Sequence, residues 1–587
     1  MMYVARATLL LLLVGLFIGI PGVIHAQDPD VEARPHIVVT DSDINAGDVV
    51  RWTANNVYVL SGLVIVEDDA ELHIDAGTVI KADDGENQNA SALVIARGGK
   101  IFAEGTATEP IIFTSVQDNI SSPDFLDYRE RGLWGGVVIL GHASTNNPGD
   151  ASGDYKEIEG VEGLLPDGDT RAEYGGNMDM DNSGIMRFVS IRHTGENIGE
   201  SDGNEIQGLT LGGVGSGTTL EYIESYASDD DGVEFFGGTV DLKYFISAFN
   251  ADDAVDWDQG WRGNGQFWFV LQGTDKAGAA AEMDGAGGDE HFRPYAIPTI
   301  YNVTYVGPGV GNQPESDQAQ MLIFRDNTGG FYHNSIFTDF QSSEGGYTLQ
   351  IEDVANTGAK TEDSRKRFEE GDLGLTNNIF WAFGNGTNPS QWINTNDATF
   401  GQEVLSYMIN NNNQAVDPML RSIERDVTPS MELDPRPSGN SPAFSMPMAA
   451  YPENDTFFTP VDYVGAFGRS NWTVGWSALD ALNYNGDFEV AIEEVSLEVP
   501  HEITLDQNYP NPFNPITTIS FGIEQAQRVR LAVYDVLGHQ VRVLHEGPVS
   551  AGTFRVSFDA EDLASGLYIY RLDTSAGSLT RTMTLIK

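Results

Sequence analysis

Two stretches of this chain repeat one another at a step of 22 residues, and that step limits the fold more than any other feature. Leu220-Glu221-Tyr222-Ile223-Glu224-Ser225 aligns with Leu242-Lys243-Tyr244-Phe245-Ile246-Ser247. Asp230-Asp231-Gly232-Val233-Glu234-Phe235 aligns in the same way with Asp252-Asp253-Ala254-Val255-Asp256-Trp257. Within each repeat the apolar residues alternate with period two and turn residues break the runs, which is the pattern of short strands. A strand-and-turn repeat of about 20–30 residues cannot bury its apolar face alone and must stack on its neighbours as a solenoid.

Earlier runs follow the same rule. Leu63-Val64-Ile65-Val66, Glu71-Leu72-His73-Ile74 and Thr78-Val79-Ile80-Lys81 make three short strands, and Leu93-Val94-Ile95-Ala96, Lys100-Ile101-Phe102-Ala103 and Ile111-Ile112-Phe113-Thr114 make three more. The predicted fold class is all-β: a right-handed parallel β-helix over residues 27–484, followed by a small immunoglobulin-like β-sandwich. Asn302, Asn334 and Asn377 each precede a β-run and are expected to stack on successive coils, where their amides can form a ladder or act as separate turn residues.

The ends of the chain carry different signals. Arg6, the apolar run Ala7 to Ile20, and Ile24-His25-Ala26 read as a cleavable signal peptide over residues 1–26. No other stretch is long and apolar enough to span a bilayer, so no transmembrane span is expected in the mature chain. Residues 485–500 are rich in acid and read as a linker. Residues 501–587 open with Asn508-Tyr509-Pro510-Asn511-Pro512-Phe513 and continue as alternating strands, including Val529 to Tyr534 and Leu567 to Leu572.

The body resembles the right-handed parallel β-helix superfamily that includes pectate lyases. The segment from Asn204 to Gly215, with the two acidic repeats, is also similar to a family of exported proteins of unassigned activity. The Tyr509-Pro510-Asn511-Pro512-Phe513 start, Val533 to Gly538, Gly566-Leu567-Tyr568 and the closing Thr582 to Lys587 resemble the C-terminal sorting domain of type IX secretion cargo. That resemblance implies a secreted or outer-surface protein handled by the type IX secretion machinery through residues 501–587.

Charge and cysteine content exclude several chemistries. The chain of 587 residues has no cysteine and a formal net charge of −55. Disulfides, thiolate metal sites and cysteine nucleophiles are ruled out. Such an acidic surface repels nucleic acid and attracts cations, and in part it fits a protein adapted to high salt.

The acids that recur at the 22-residue step have a sharper meaning. With Val233, Val255, Phe235 and Trp257 turned into the coil, Glu234 and Asp256 turn out, about 4.8 Å apart on stacked coils. Asp230 with Asp252, and Asp231 with Asp253, repeat the like-charge contact. Carboxylates that close are screened, protonated or bridged by a cation, and an all-oxygen set suits Ca²⁺. Asp230, Asp231, Glu234, Asp252, Asp253 and Asp256 are therefore the candidate metal ligands. The loop Asn177 to Gly184 resembles a calcium loop without its closing Glu. Glu282, Asp284, Asp289 and Glu290 sit in a Gly/Ala-rich stretch that reads as disordered.

Lys243, Arg262, Arg187, Arg192 and His193 are the bases near these acids in sequence, and none lies in a lyase motif. Trp134, Trp257, Trp261, Trp268 and Tyr226 read either as core or as a surface on which sugars stack. The expected function is binding of an extracellular polymer such as polysaccharide. The alternatives are a calcium-dependent polysaccharide lyase or hydrolase and a structural or adhesive surface component.

Overall fold

The computed structural model describes residues 31–481, 493–496 and 503–586 apart from short internal stretches, the longest being 148–154, 197–205, 311–318, 355–361 and 426–432. The signal-peptide region, Asn204, Glu205 and Asp289 lie outside the described residues. The chain forms two compact units, Met1–Asn485 and Gly486–Lys587.

In the first unit a seventeen-stranded and a ten-stranded sheet run side by side, and every pairing in both is parallel. This is the expected parallel β-helix. The 22-residue step is one coil: Leu220 lies opposite Leu242 and Ser225 opposite Ser247, while Phe235 lies opposite Trp257. Leu93, Val137, Leu209 and Val233 form one inward row of the smaller sheet, and Ile95, Ile139, Leu211, Phe235 and Trp257 form another. Each such side chain, fully buried, contributes about 1.5–3 kcal/mol. Trp134, Trp257, Trp261, Trp268 and Tyr226 are all buried, so the expected alternative of an aromatic sugar platform built from them does not hold. The four tryptophans belong to the core of the coils, and Tyr226 is buried in a second cluster with Tyr128, Phe249 and Trp476.

From Phe188 onward one residue in each coil of the larger sheet takes a left-handed backbone conformation. Phe188, Tyr222, Tyr244 and Phe267 take it at φ +49° to +59°, and Asn302, Asn334 and Asn377 take it in later coils at φ +54° to +58°. Asn tolerates left-handed backbone, whereas bulky aromatic residues are rare there. The aromatic ones are held by a continuous stack, with centroid separations of 4.3, 4.2 and 4.9 Å from Phe188 through Tyr222 and Tyr244 to Phe267.

A strap made by the end of the body covers this row. The Asn377 amide donates to Pro447 O (2.9 Å), Asn334 to Ala449 O (3.0 Å) and Asn302 to Tyr463 O (2.9 Å). The three asparagines do line up coil on coil, but their amides secure the strap instead of forming a ladder. Farther along, Trp472 and Trp476 pack edge-on against Tyr222. Glu224, fully buried, accepts from the backbone N–H groups of Ala478 (2.6 Å) and Leu479 (3.4 Å) and from Ser190 Oγ (2.5 Å).

The second unit is a β-sandwich of two four-stranded antiparallel sheets around one core that includes Ile519, Phe521, Leu531, Val533, Val556 and Tyr570. The stretch expected as linker is partly structured. Glu493–Ser496 forms a strand paired antiparallel with Gly552–Asp559.

Candidate functional site: a buried acidic row

One outward row of the smaller sheet changes chemistry along the solenoid. In register, coil by coil, it reads Ile65, Val94, Val138, Thr210, Glu234, Asp256, Glu282, Ile323, Gln350 and Asn394. The first three are apolar because an excursion of the chain packs over them: Ile158, Val161, Ala172 and Tyr174 share a cluster with Ile65, Val94, Val138, Leu140 and Phe236. The Tyr174 ring lies so close to the sheet that a Cβ on Gly212 would come within 2.9 Å of its Cγ. Its hydroxyl donates to Gln259 Oε1 (2.6 Å), two coils beyond Gly212.

The middle of the row is acidic and sheltered. Glu234 is 7% exposed, Glu282 7%, Asp231 7% and Asp253 3%, with Asp256 partly buried between them. Carboxylate oxygens of Asp231, Glu234 and Asp256 lie within 4.8 Å of one another, and Asp231 also falls within that distance of Asp230 and Asp252. Asp231 and Asp253 play matching roles on successive coils. Asp231 Oδ1 accepts the Asp253 backbone N–H (2.9 Å), and Asp253 Oδ1 accepts that of Ala279. Asp230 takes a long hydrogen bond from Gln207 Nε2 (3.4 Å), and Asp252 is exposed.

Glu282 is the member that sequence reading misplaced. It lies in the strand Ala281–Met283, directly opposite Asp256, not in a disordered loop. The step from Asp256 to Glu282 is longer than 22 residues, which hid the alignment. Arg325 closes this end, contacting Glu282 Oε2 and donating from Nε to Asp284 Oδ1 (2.7 Å). Glu290 is placed elsewhere, its carbonyl accepting from Asn327 Nδ2 (2.7 Å).

Burial pushes the carboxyls of Asp231, Glu234, Asp253 and Asp256 well above their ordinary range, and the neighbouring acids push the same way. Burial also raises Asp258 to about 6 and Asp284 to about 7, in the second case against the opposing pull of Arg325. Among the described residues Asp256 Oδ1 is buried without a hydrogen-bond partner.

The other expected ligands and bases are engaged elsewhere. Asp179 Oδ1 accepts from Ser144 N–H (3.0 Å) and Oγ (2.6 Å), and its Oδ2 pairs with Arg262 (2.8 Å). The Asn177–Gly184 loop therefore ties the chain excursion to the coil through protein donors. Lys243 Nζ donates to Phe457 O and to Thr459 Oγ1 (2.9 Å) in the strap. Arg187 pairs with Glu221 (2.9 Å), Arg192 Nε donates to Ser190 Oγ (2.8 Å), and His193 Nδ1 meets Glu130 O at 2.5 Å. Lys243, Arg187 and Arg192 lie on strands of the larger sheet, away from the acidic row.

A second feature lies where the coils end. A cleft of about 350 Å³ opens between the strand ends at Asp339 and Trp381 and the segment Asp417 to Ile423. Arg425 holds Asp339 Oδ2 (2.7 Å), and Gln341 Nε2 donates to Oδ1 (2.9 Å). Among the described residues the half-buried Trp381 ring stacks on no other aromatic ring. Asp417 and Arg421 are exposed at the rim.

Residues 43–418 match the family model described as a pectate-lyase-like β-helix domain. The chain belongs to the pectate-lyase-like β-helix family. Residues 507–587 match the secretion system C-terminal sorting domain, so this β-helix protein is a cargo of type IX secretion, exported to the cell surface or released. Comparison with curated proteins gives no match. No helix among the described residues is long and apolar enough to cross a membrane. The strap lies beyond the β-helix match and before the sorting match.

Proposed function

We propose that this exported β-helix protein binds an extracellular saccharide polymer, without cleaving it, through the cleft beside Trp381. The observation that carries this reading is an unstacked, half-buried indole in a cleft rimmed by two carboxylates and a guanidinium. A pyranose has an apolar face that fits an aromatic ring and a hydroxyl edge that needs donors and acceptors, which Asp339, Asp417, Arg421 and Ser422 supply. The volume falls in the range of small-ligand sites, and a solenoid flank accepts an extended chain.

Binding is favoured over lyase chemistry because the bases considered for proton removal are tied to other elements, Lys243 to the strap and Arg262 to Asp179 and Ser144. Affinity electrophoresis of the full-length protein through gels containing neutral and uronate polysaccharides tests the reading. It predicts retardation by at least one polymer, lost in Trp381→Ala. Unretarded migration in every gel, or retardation unchanged by Trp381→Ala, contradicts it.

A further inference from the structure

We infer that Asp231, Glu234 and Asp256 form a calcium site buried between the coils and the chain excursion that covers them. The inference is independent of the saccharide reading and rests on a different part of the molecule.

The geometry fits the ion. Ca²⁺ takes oxygen ligands at about 2.3–2.6 Å, so two ligands on opposite sides of it stand up to about 5 Å apart. The three carboxylates offer oxygens within 4.8 Å of one another, a spacing that a shared Ca²⁺ can span. Mg²⁺ requires a smaller octahedral cage and retains its waters, so this set discriminates against it.

The side chains also lack other partners. Glu234 is more than nine-tenths buried, and among the described residues its carboxylate makes no hydrogen bond or ion pair. Asp256 Oδ1 is buried and equally without a donor. A buried, unpaired carboxylate costs several kcal/mol, and a protonated one still needs an acceptor for its proton. Arg325 is the base in contact with the row, and Glu282 and Asp284 already occupy it. Asp231 spends one oxygen on the Asp253 N–H and keeps the other for the ion.

The fold explains why such a site survives. The parallel register sets Glu234 directly opposite Asp256, and the turn before Val233–Phe236 delivers Asp231 to the same corner. The excursion, pinned by Tyr174 to Gln259, brings Glu159 near Glu234. A cation here links two successive coils across their turn. Asp252 is exposed and is left outside the proposed ligand set.

The test is calorimetric titration of CaCl₂ into chelator-treated full-length protein in excess NaCl, repeated with MgCl₂. The expected result is one saturable Ca²⁺ site, at least tenfold tighter than for Mg²⁺. Asp256→Asn and Glu234→Gln should each weaken it at least tenfold, and Asp252→Asn should change it less than threefold. The wild-type titration keeps the inference falsifiable if a variant misfolds: heats that never saturate, or that vanish in NaCl, overturn it. Equal Ca²⁺ affinity in wild type and in folded Asp256→Asn overturns it as well.

Discussion

Glu234 and Asp256 face each other in register on adjacent parallel strands, both directed out of the coil and both sheltered from water. Two like charges so placed oppose each other across a single coil step. In the cation-free protein that opposition lowers stability, which makes charge removal informative.

Asp256→Asn keeps the shape and deletes one charge. In chelated protein it is expected to raise the unfolding temperature by about 2 °C, as relief worth about 1 kcal/mol would. The same variant should lose the gain that Ca²⁺ gives the wild type. Differential scanning calorimetry with and without chelator reads both effects.

The pH dependence has a definite sign. The carboxyls of Asp231, Glu234 and Asp256 are held above their ordinary range, chiefly by burial, with Asp258 at about 6 and Asp284 at about 7. Between the unfolded value of about 4 and these raised values the folded state binds more protons than the unfolded one, so stability falls as pH rises. The contribution is complete below about pH 4 and lost as pH passes through the folded values. Chelated protein should therefore melt higher at pH 5 than at pH 8, and Ca²⁺ should narrow the difference by favouring the ionised row. A chelated protein that is more stable at pH 8 contradicts this assignment.

The strap depends on Glu224. Its carboxylate accepts from Ser190 Oγ and from the N–H groups of Ala478 and Leu479, with Arg192 offsetting part of the burial that raises its pKa. Glu224→Ala removes those acceptors and leaves the N–H groups of Ala478 and Leu479 unsatisfied in a buried place, a loss of about 1–3 kcal/mol. Hydrogen exchange should report faster opening of residues 472–481 while the strands Leu209–Gly212 and Val233–Phe236 stay protected.

Gly212 is required by its contact with the cover. A side chain there meets Tyr174 Cγ at 2.9 Å and Leu140 Cδ2 at 3.0 Å. Gly212→Val should cost about 1–3 kcal/mol by overpacking and should raise exchange in the segment around Tyr174. Protection unchanged there would show that the excursion is held without this contact.

The β-helix was legible because its unit repeats: the 22-residue step that aligns Leu220 with Leu242 is the register of the sheet. Glu234 and Asp256 were legible for the same reason. Glu282 was not, since the coil that places it opposite Asp256 is longer and its Gly- and Ala-rich surroundings carry little strand signal. The cover and the strap were hidden because neither repeats. Their contacts join residues remote in sequence, as Asn377 does with Pro447 and Lys243 with Thr459. Lys243 lies close to Asp252 along the chain, yet successive strands of a coil belong to different sheets, so it serves the strap. The left-handed backbone at Tyr222 and Tyr244 gave no local signal either, since stacking against neighbouring coils sustains it.

The most direct test of the account is thermal unfolding of chelated full-length protein at pH 8 in CaCl₂ and in NaCl of matched ionic strength. A buried calcium centre predicts a marked rise in unfolding temperature with CaCl₂ that saturates with concentration, and a much smaller one with NaCl. Equal stabilisation by the two salts would contradict it and make the acids a general adaptation to ionic strength.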